Sequence, residues 1–512
     1  MTHNWSVSQA DETQVRRIAE CIALKIRAGD AIALHGDLGA GKTTLARALI
    51  RALLDCPDAE VPSPTFPILQ TYDTPRLPVA HLDLYRITGT AETIELGIEE
   101  LLLAGAIIVE WPERAPSILP EARLEIHLSE DGDPSRRTLQ LTGHGNWAPR
   151  LARIEAMSAF LAMHTPWDAA QARYLQGDAS ARAYARLASN GQKGVLMDSP
   201  RQPDGPPIRN GLPYSRIAHL AEDVRPFVAI ADALRAGGLS APEIFAADLD
   251  SGFLVLEDFG DRVFGREIAS GGSQEELWRA ATQALVALRP LPVPANIPLA
   301  DGSHYALPRQ DRGVLEIEAE LLVDWYWPAL LATPAPADAR ANFLDVWNGV
   351  FDRVLAGPQG WVLRDYHSPN LIWLEERKGV ARVGIIDFQD ALLGSAAYDL
   401  VSLLQDARLD VPAELEASLL ADYSRLAAID EPGFDSQEFA YAYAALGAQR
   451  NTKIIGIFAR LARRDGKPAY LAHIPRIWRY LERDLAHPEL RELRAWYDTH
   501  LPPGLRARVL EA

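Results

Sequence analysis

The sequence predicts an α/β protein in two parts. The first is a sheet domain carrying a phosphate-binding loop. The second is bilobal, with a β-rich small lobe and a helical large lobe. Three observations predict this. The apolar run "AIALH" leads into "GDLGAGKT", which opens a helical pattern. Short apolar runs alternate with helical periodicity up to about residue 145. From about 170 to 260 the pattern is strand-rich, and beyond 262 it is mostly helical. At 512 residues the chain exceeds what one hydrophobic core supports, so two to four domains are expected.

In order, "AIALH" (31–35), "PVAHLDLY" (78–85) and "AIIVEW" (106–111) read as sheet strands, and "LEIHL" (124–128) with "RTLQLTG" (137–143) as a closing β-ribbon. "APRLARIEAMSAFLAMH" (148–164) has apolar residues at helical spacing. A boundary near 150 is expected, giving domains 1–150 and 151–512, with a small lobe of about 165–260 and a large lobe of about 262–512. "AYARLA", "KGVLMDSP" and "GFLVLEDFG" are the small-lobe strands, while "QEELWRAATQALVALRPL" and "DARANFLDVWNGVFDRVL" begin the helices.

Composition narrows the function classes. The chain is 48% hydrophobic and 23% charged, with a net charge of −18, which disfavours a primary binder of DNA or of anionic membranes. No apolar run approaches a membrane span, and the polar start has no signal-peptide core, so a cytoplasmic protein is expected. Cys21 and Cys56 are read as idle thiols.

The first chemical motif is Gly36-Asp-Leu-Gly39-Ala-Gly41-Lys42-Thr43, with Thr44 behind it. Glycines let backbone N–H groups wrap a β-phosphate at a helix N-terminus. Lys42 is expected to neutralise the β/γ-phosphates of ATP, and the Thr43 hydroxyl to ligate Mg²⁺. Asp83 and Glu110 each end an apolar strand pattern, at the sheet edge where ligands of such folds bind. Either can hold Mg²⁺ or orient an attacking water.

With "SPTF", "HLDLYR" and "EWPE" in this order, residues 5 to 145 resemble the TsaE family of ATPases of bacterial tRNA threonylcarbamoyladenosine biosynthesis. The resemblance implies a small P-loop ATPase working with TsaD- and TsaB-like partners, and meeting tRNA only indirectly through that complex. It places Lys42, Thr43 and Thr44 at the nucleotide, Thr65 in a switch-like loop, and Asp83 and Glu110 as the functional acids.

The second motif is "LRDYHSPNL", followed by "GIIDFQDA". Asp365 precedes Asn370 by five residues, the protein-kinase-like catalytic-loop spacing, and Asp387 follows 17 later beyond a strand pair. Asp365 is the expected base, with Asn370 and Asp387 as metal ligands. His367 is read either as orienting the loop or as a structural hydrogen bond. No activation-loop signature follows, which disfavours protein substrates. At the nucleotide end "LQGDASARAYARL" has one glycine, so Ala179, Ser180 and Ala181 would cover the phosphates. Met197 stands near the usual β3 lysine, leaving Arg182, Arg186 and Lys193 as candidate cations. Backbone groups near Glu257 and Asp258 are expected to meet adenine.

"GDAS", "LMDSP", "LEDFGD", "LRDYHSPNL" and "IDFQDA" together resemble the AmgK-type sugar kinases of the aminoglycoside phosphotransferase fold, over about 155–500. That implies phosphorylation of N-acetylmuramate and N-acetylglucosamine at the anomeric hydroxyl, in peptidoglycan recycling. The family itself lacks the β3 lysine. Sugar-contact candidates are Glu318, Asp324 and Arg408; Trp325, Tyr326 and Trp327 are read either as stacking on a sugar face or, as aromatics of a helical lobe more often are, as core. Asp399 is expected to anchor the loop rather than touch substrate. An aminoglycoside or choline kinase and a pseudokinase scaffold stay open as alternatives. Neither ligand set draws on residues across residue 150, so the two halves are expected to work when separated.

Overall fold

A computed structural model describes residues 1–87, 92–93, 96–175 and 182–510. The chain divides into two compact units: Met1–Pro200 with Ile244–Asp258, and Arg201–Glu243 with the chain from Phe259 onward.

The first unit holds two sheets. Strands β1 (Thr2–Ala10), β2 (Ala31–His35), β3 (Leu69–Tyr72), β4 (Val79–Asp83), β5 (Ala106–Glu110), β6 (Leu124–Asp131) and β7 (Asp133–His144) form a sheet in the order β1-β7-β6-β2-β5-β4-β3. Strand β2 runs parallel to β5 and β6, and β4 parallel to β5. The expected ribbon is the antiparallel β6/β7 pair, continuous with this sheet. Helices α1 (Glu12–Lys25), α2 (Lys42–Leu53) and α3 (Ile98–Ala104) connect it, α1 starting at a reciprocal cap between Asp11 and Gln14.

Helix α4 (Trp147–Ala162) follows, with Trp147, Leu151, Ile154, Met157 and Phe160 buried. Residue 150 therefore lies inside a helix rather than in a linker. Beyond it come β8 (Gln171–Leu175), β9 (Ala183–Ser189), β10 (Gln192–Asp198), β11 (Ile244–Asp248) and β12 (Phe253–Glu257), an antiparallel sheet in the order β11-β12-β10-β9-β8.

One apolar core runs through both sheets. Ile32, Leu34, Ile126 and Leu139 of the first share it with Ala172, Leu187, Leu196, Phe253 and Val255 of the second. Residues of α1, α2 and α4 complete it. A smaller cluster of Ala80, Leu82, Leu84, Ile107 and Val109 covers the other face of β4 and β5.

The second unit is mainly helical. Its longest helix, Ser436–Asp465, is capped by the Asp435 carboxylate and stops at Gly466 in the left-handed region (φ +64°). Two short strand pairs matter for function. Gly360–Val362 pairs with Leu392–Gly394, and Leu371–Trp373 with Val383–Ile385. These ladders hold both ends of the 363–370 loop.

Candidate functional sites

The loop after β2 is shaped by glycines that have no substitute. Gly36 lies at φ +140°, and a β-carbon there would meet the Leu128 carbonyl oxygen at 2.4 Å. Gly39 (φ +85°) and Gly41 (φ +104°) are also left-handed. The chain then enters α2 with Lys42 and Thr43 in its first turn and Thr44 beside them. The Lys42 ammonium donates to the carbonyls of Gly36 (2.7 Å) and Asp37 (2.9 Å) and sits 3.6 Å from the centroid of the Trp111 ring. Burial holds its pKa below the usual lysine range. A partly desolvated cation inside a glycine loop suits a phosphate group.

Both predicted acids lie at the ends of adjacent parallel strands, with Asp83 and Glu110 in direct register. Each is held by a different partner. Thr43 donates its hydroxyl to Glu110 Oε2 at 2.8 Å. Thr65 donates to Asp83 Oδ2 at 2.8 Å, and the Tyr85 N–H to Asp83 Oδ1 at 3.0 Å. Glu110 therefore joins the P-loop threonine, and Asp83 joins the Thr65 loop. Sequence reasoning missed His81, whose Nε2 lies 2.9 Å from Glu110 Oε1 in full burial. The signal was present: His81 and Asp83 are two apart on a strand and so share a face.

In the second unit Asp365, Asn370 and Asp387 converge. Asn370 Nδ2 donates to the Asp365 carbonyl (3.0 Å) and lies 3.4 Å from Asp387 Oδ2. Gln389 Nε2 donates to Asp387 Oδ1 at 2.9 Å. Arg364 (φ +72°) and Asp387 (φ +61°) both occupy the left-handed region, a strained backbone held by its surroundings. The Asp365 side chain is 40% exposed, so it can reach a solvent-borne hydroxyl.

Buried side chains fix the loop. Asp399 accepts from the N–H groups of Leu363 (2.6 Å) and Arg364 (2.8 Å), and burial pushes its carboxyl up to about 7. Asp406, which sequence reasoning did not single out, accepts from Ser368 N–H (2.8 Å) and Arg408 N–H (2.7 Å). His367 is buried, with Nε2 at 3.5 Å from Arg408 Nη1 and 3.8 Å from Asp365 Oδ1, and burial lowers its pKa.

Several sugar-contact candidates lie elsewhere. Glu318 is 1% exposed and clamped by Arg364 and by Lys453 at 2.7 Å. Although burial opposes ionisation, these cations hold its carboxyl at about 2, so it braces the loop. Asp324 pairs with Arg340, while Tyr326 and Trp327 pack with tilted rings against Trp478 and Trp496, as core aromatics.

At the nucleotide end Ala179, Ser180 and Ala181 lie outside the described residues. Met197 is buried in β10 and Lys193 is exposed on the same strand. Arg186 pairs with Asp258 at 2.7 Å, beside Glu257 at the end of β12.

Both parts of the chain match known families. Residues 9–139 match the family described as threonylcarbamoyl adenosine biosynthesis protein TsaE, and residues 171–438 match the phosphotransferase enzyme family. The chain is 42% identical to an N-acetylmuramate/N-acetylglucosamine kinase of Caulobacter vibrioides over 363 residues, 69% of this chain and 98% of that one. It is 35% identical to the Pseudomonas aeruginosa protein of the same name, over 64% of this chain and 88% of that one. A tRNA threonylcarbamoyladenosine biosynthesis protein TsaE of Rickettsia felis is 32% identical over 150 residues, 29% of this chain and 86% of that one.

Proposed function

The chain belongs both to the TsaE family and to the phosphotransferase enzyme family, and from this we infer one bifunctional enzyme of tRNA modification and cell-wall sugar recycling. Its N-terminal site hydrolyses ATP in concert with TsaD- and TsaB-like partners, reaching tRNA only through them. Its C-terminal site transfers the γ-phosphoryl group of ATP to the anomeric hydroxyl of N-acetylmuramate or N-acetylglucosamine. Both activities belong to the cytoplasm, and no described helix is long and apolar enough to cross a membrane.

The observation that carries the kinase reading is the convergence of Asn370 and Asp387 beside Asp365. Asp365 takes the hydroxyl proton as the acceptor oxygen bonds to phosphorus and the bridging oxygen leaves with ADP. The donors fit Mg²⁺, which favours oxygen ligands: Asn370 and Asp387 in one site, Thr43 and Glu110 in the other. When bound, the ion neutralises phosphate charge. In the N-terminal site Lys42 compensates the β/γ-phosphates, and Asp83 orients water near the Thr65 loop. Glu257 and Asp258 flank the adenine position through their backbone.

An acceptor panel tests the kinase reading. The full-length protein is given ATP, Mg²⁺ and, in turn, N-acetylmuramate, N-acetylglucosamine, choline or an aminoglycoside. The expected product is the sugar 1-phosphate by phosphorus NMR. Turnover of choline or aminoglycoside alone would overturn it.

A further inference from the structure

The sheet face opposite the shared core carries a cluster that neither site uses. His35 ends β2, immediately before Gly36, and is in register with His127 on the parallel strand β6. Alternation along β6 puts Glu125 on the same face as His127, while Leu34 and Ile126 point into the core. The two imidazoles stack with centroids 4.2 Å apart and planes 7° apart. One ligand atom from each of His35, Glu125 and His127 lies within 4.8 Å of the others.

Two like-charged imidazolium rings this close repel, so at least one ring is neutral and able to offer a lone pair. His35 Nε2 is buried without a hydrogen-bond partner among the described residues, and an orphaned buried nitrogen needs an explanation. Its Nδ1 lies 3.4 Å from Glu113 Oε2, an orientation that second-shell carboxylates give to ligating histidines. Glu125 is shared at present. Arg123 contacts Oε1 at 2.7 Å, and His144 Nε2 lies 3.2 Å from Oε2.

We propose that His35, Glu125 and His127 form a transition-metal site of the Zn²⁺ class at the root of the phosphate-binding loop. Two imidazoles and one carboxylate favour Zn²⁺ over Mg²⁺ or Ca²⁺, which favour all-oxygen sets. Stacked rings aim their in-plane lone pairs side by side, so Zn–N bonds of roughly 2.0–2.1 Å require the two imidazoles to rotate out of their stack, a rotamer change on a fixed strand register. Arg123 then yields part of Glu125 to the ion. The ion would tie β2 to β6 one residue before the loop that holds the nucleotide.

Calorimetric titration of the nucleotide-free, full-length protein with Zn²⁺ tests this, alongside His127→Gln, Glu125→Gln and Asp387→Asn. His127 is exposed, so its replacement leaves the core intact, and an unchanged melting temperature without metal checks this. Wild type and Asp387→Asn are expected to bind one equivalent more than His127→Gln and Glu125→Gln. Co²⁺ loading should give visible d–d bands that the His127 variant lacks. Equal stoichiometry and affinity across all four proteins, or Co²⁺ bands unchanged in His127→Gln, would overturn the site.

Discussion

On the proposed mechanisms Lys42 and Asp365 carry the two chemistries, and each is expected to be silenced without the other. Lys42→Ala removes the one loop cation that meets the β/γ charge, so partner-stimulated ATP hydrolysis should fall by at least about 10²-fold while sugar phosphorylation persists. A coupled ADP assay with and without TsaD- and TsaB-like proteins reads both. Asp365→Asn removes the proton acceptor and should cost roughly 10²–10⁴ in kcat, with the sugar KM little changed. An equal rise in KM would instead mark Asp365 as a binding group. Motif spacing made these residues legible because phosphate and metal chemistry demands fixed offsets along a turn. Burial is not written in spacing. Glu318 stood near aromatic residues and looked like a sugar contact, yet it lies inside the protein against Arg364 and Lys453. His81 was legible only as a face-mate of Asp83, and Asp406 escaped notice because its partner, the Ser368 N–H, is brought to it by the fold.

At the scale of elements, α1 and α4 do what no linker does. Strand and helix types were readable from periodicity, but the sequence showed α4 only as an apolar helix near a boundary. Its role comes from charges far apart in the chain. Asp198, at the end of β10, is 2% exposed and pairs with Arg153 of α4 (2.7 Å) and Lys25 of α1. Removing one partner of a buried pair costs roughly 3–5 kcal/mol, less here because both cations keep some water access. Asp198→Asn should therefore destabilise by about 2 kcal/mol in urea unfolding, and an Arg153→Ala/Asp198→Asn cycle should show non-additivity. Glu20 of α1 accepts from the Ala172 N–H of β8 at 2.8 Å, and burial raises its carboxyl from 4.5 to about 7. The folded state thus holds a proton that the unfolded chain releases near 4.5. This contribution is complete below the unfolded value and is lost as pH rises through about 7. Melting temperatures of wild type should decline across that window more steeply than those of Glu20→Gln, which keeps an acceptor for Ala172. Parallel curves would remove Glu20 as the cause.

For the whole molecule the question is whether two activities in one chain are merely joined. The ligand sets are separate, and on that ground alone the halves ought to work apart. The core says otherwise. The family matches end at 139 and resume at 171, and the segment between them contains α4, packed among residues of both sheets. Cutting after residue 150 divides α4 between Arg150, which pairs with Asp30 at 2.6 Å, and Arg153, which pairs with Asp198. It also removes the first sheet, α1 and α2 from the core that buries Ala172, Leu187, Phe253 and Val255, all 4% exposed or less, and leaves Asp198 with half its counter-charge. Newly exposed apolar surface costs about 25 cal/mol per Å², so a few side chains amount to several kcal/mol, a large share of a domain's stability. The 151–512 fragment is therefore expected to melt lower than the intact chain and to lose more than about tenfold in sugar-kinase turnover, equivalent to about 1.4 kcal/mol. Adding the 1–150 fragment should restore part of both by re-forming the shared core. Kinase turnover within a few-fold of the intact protein, with no response to the added fragment, would show that the common core is packing without coupling.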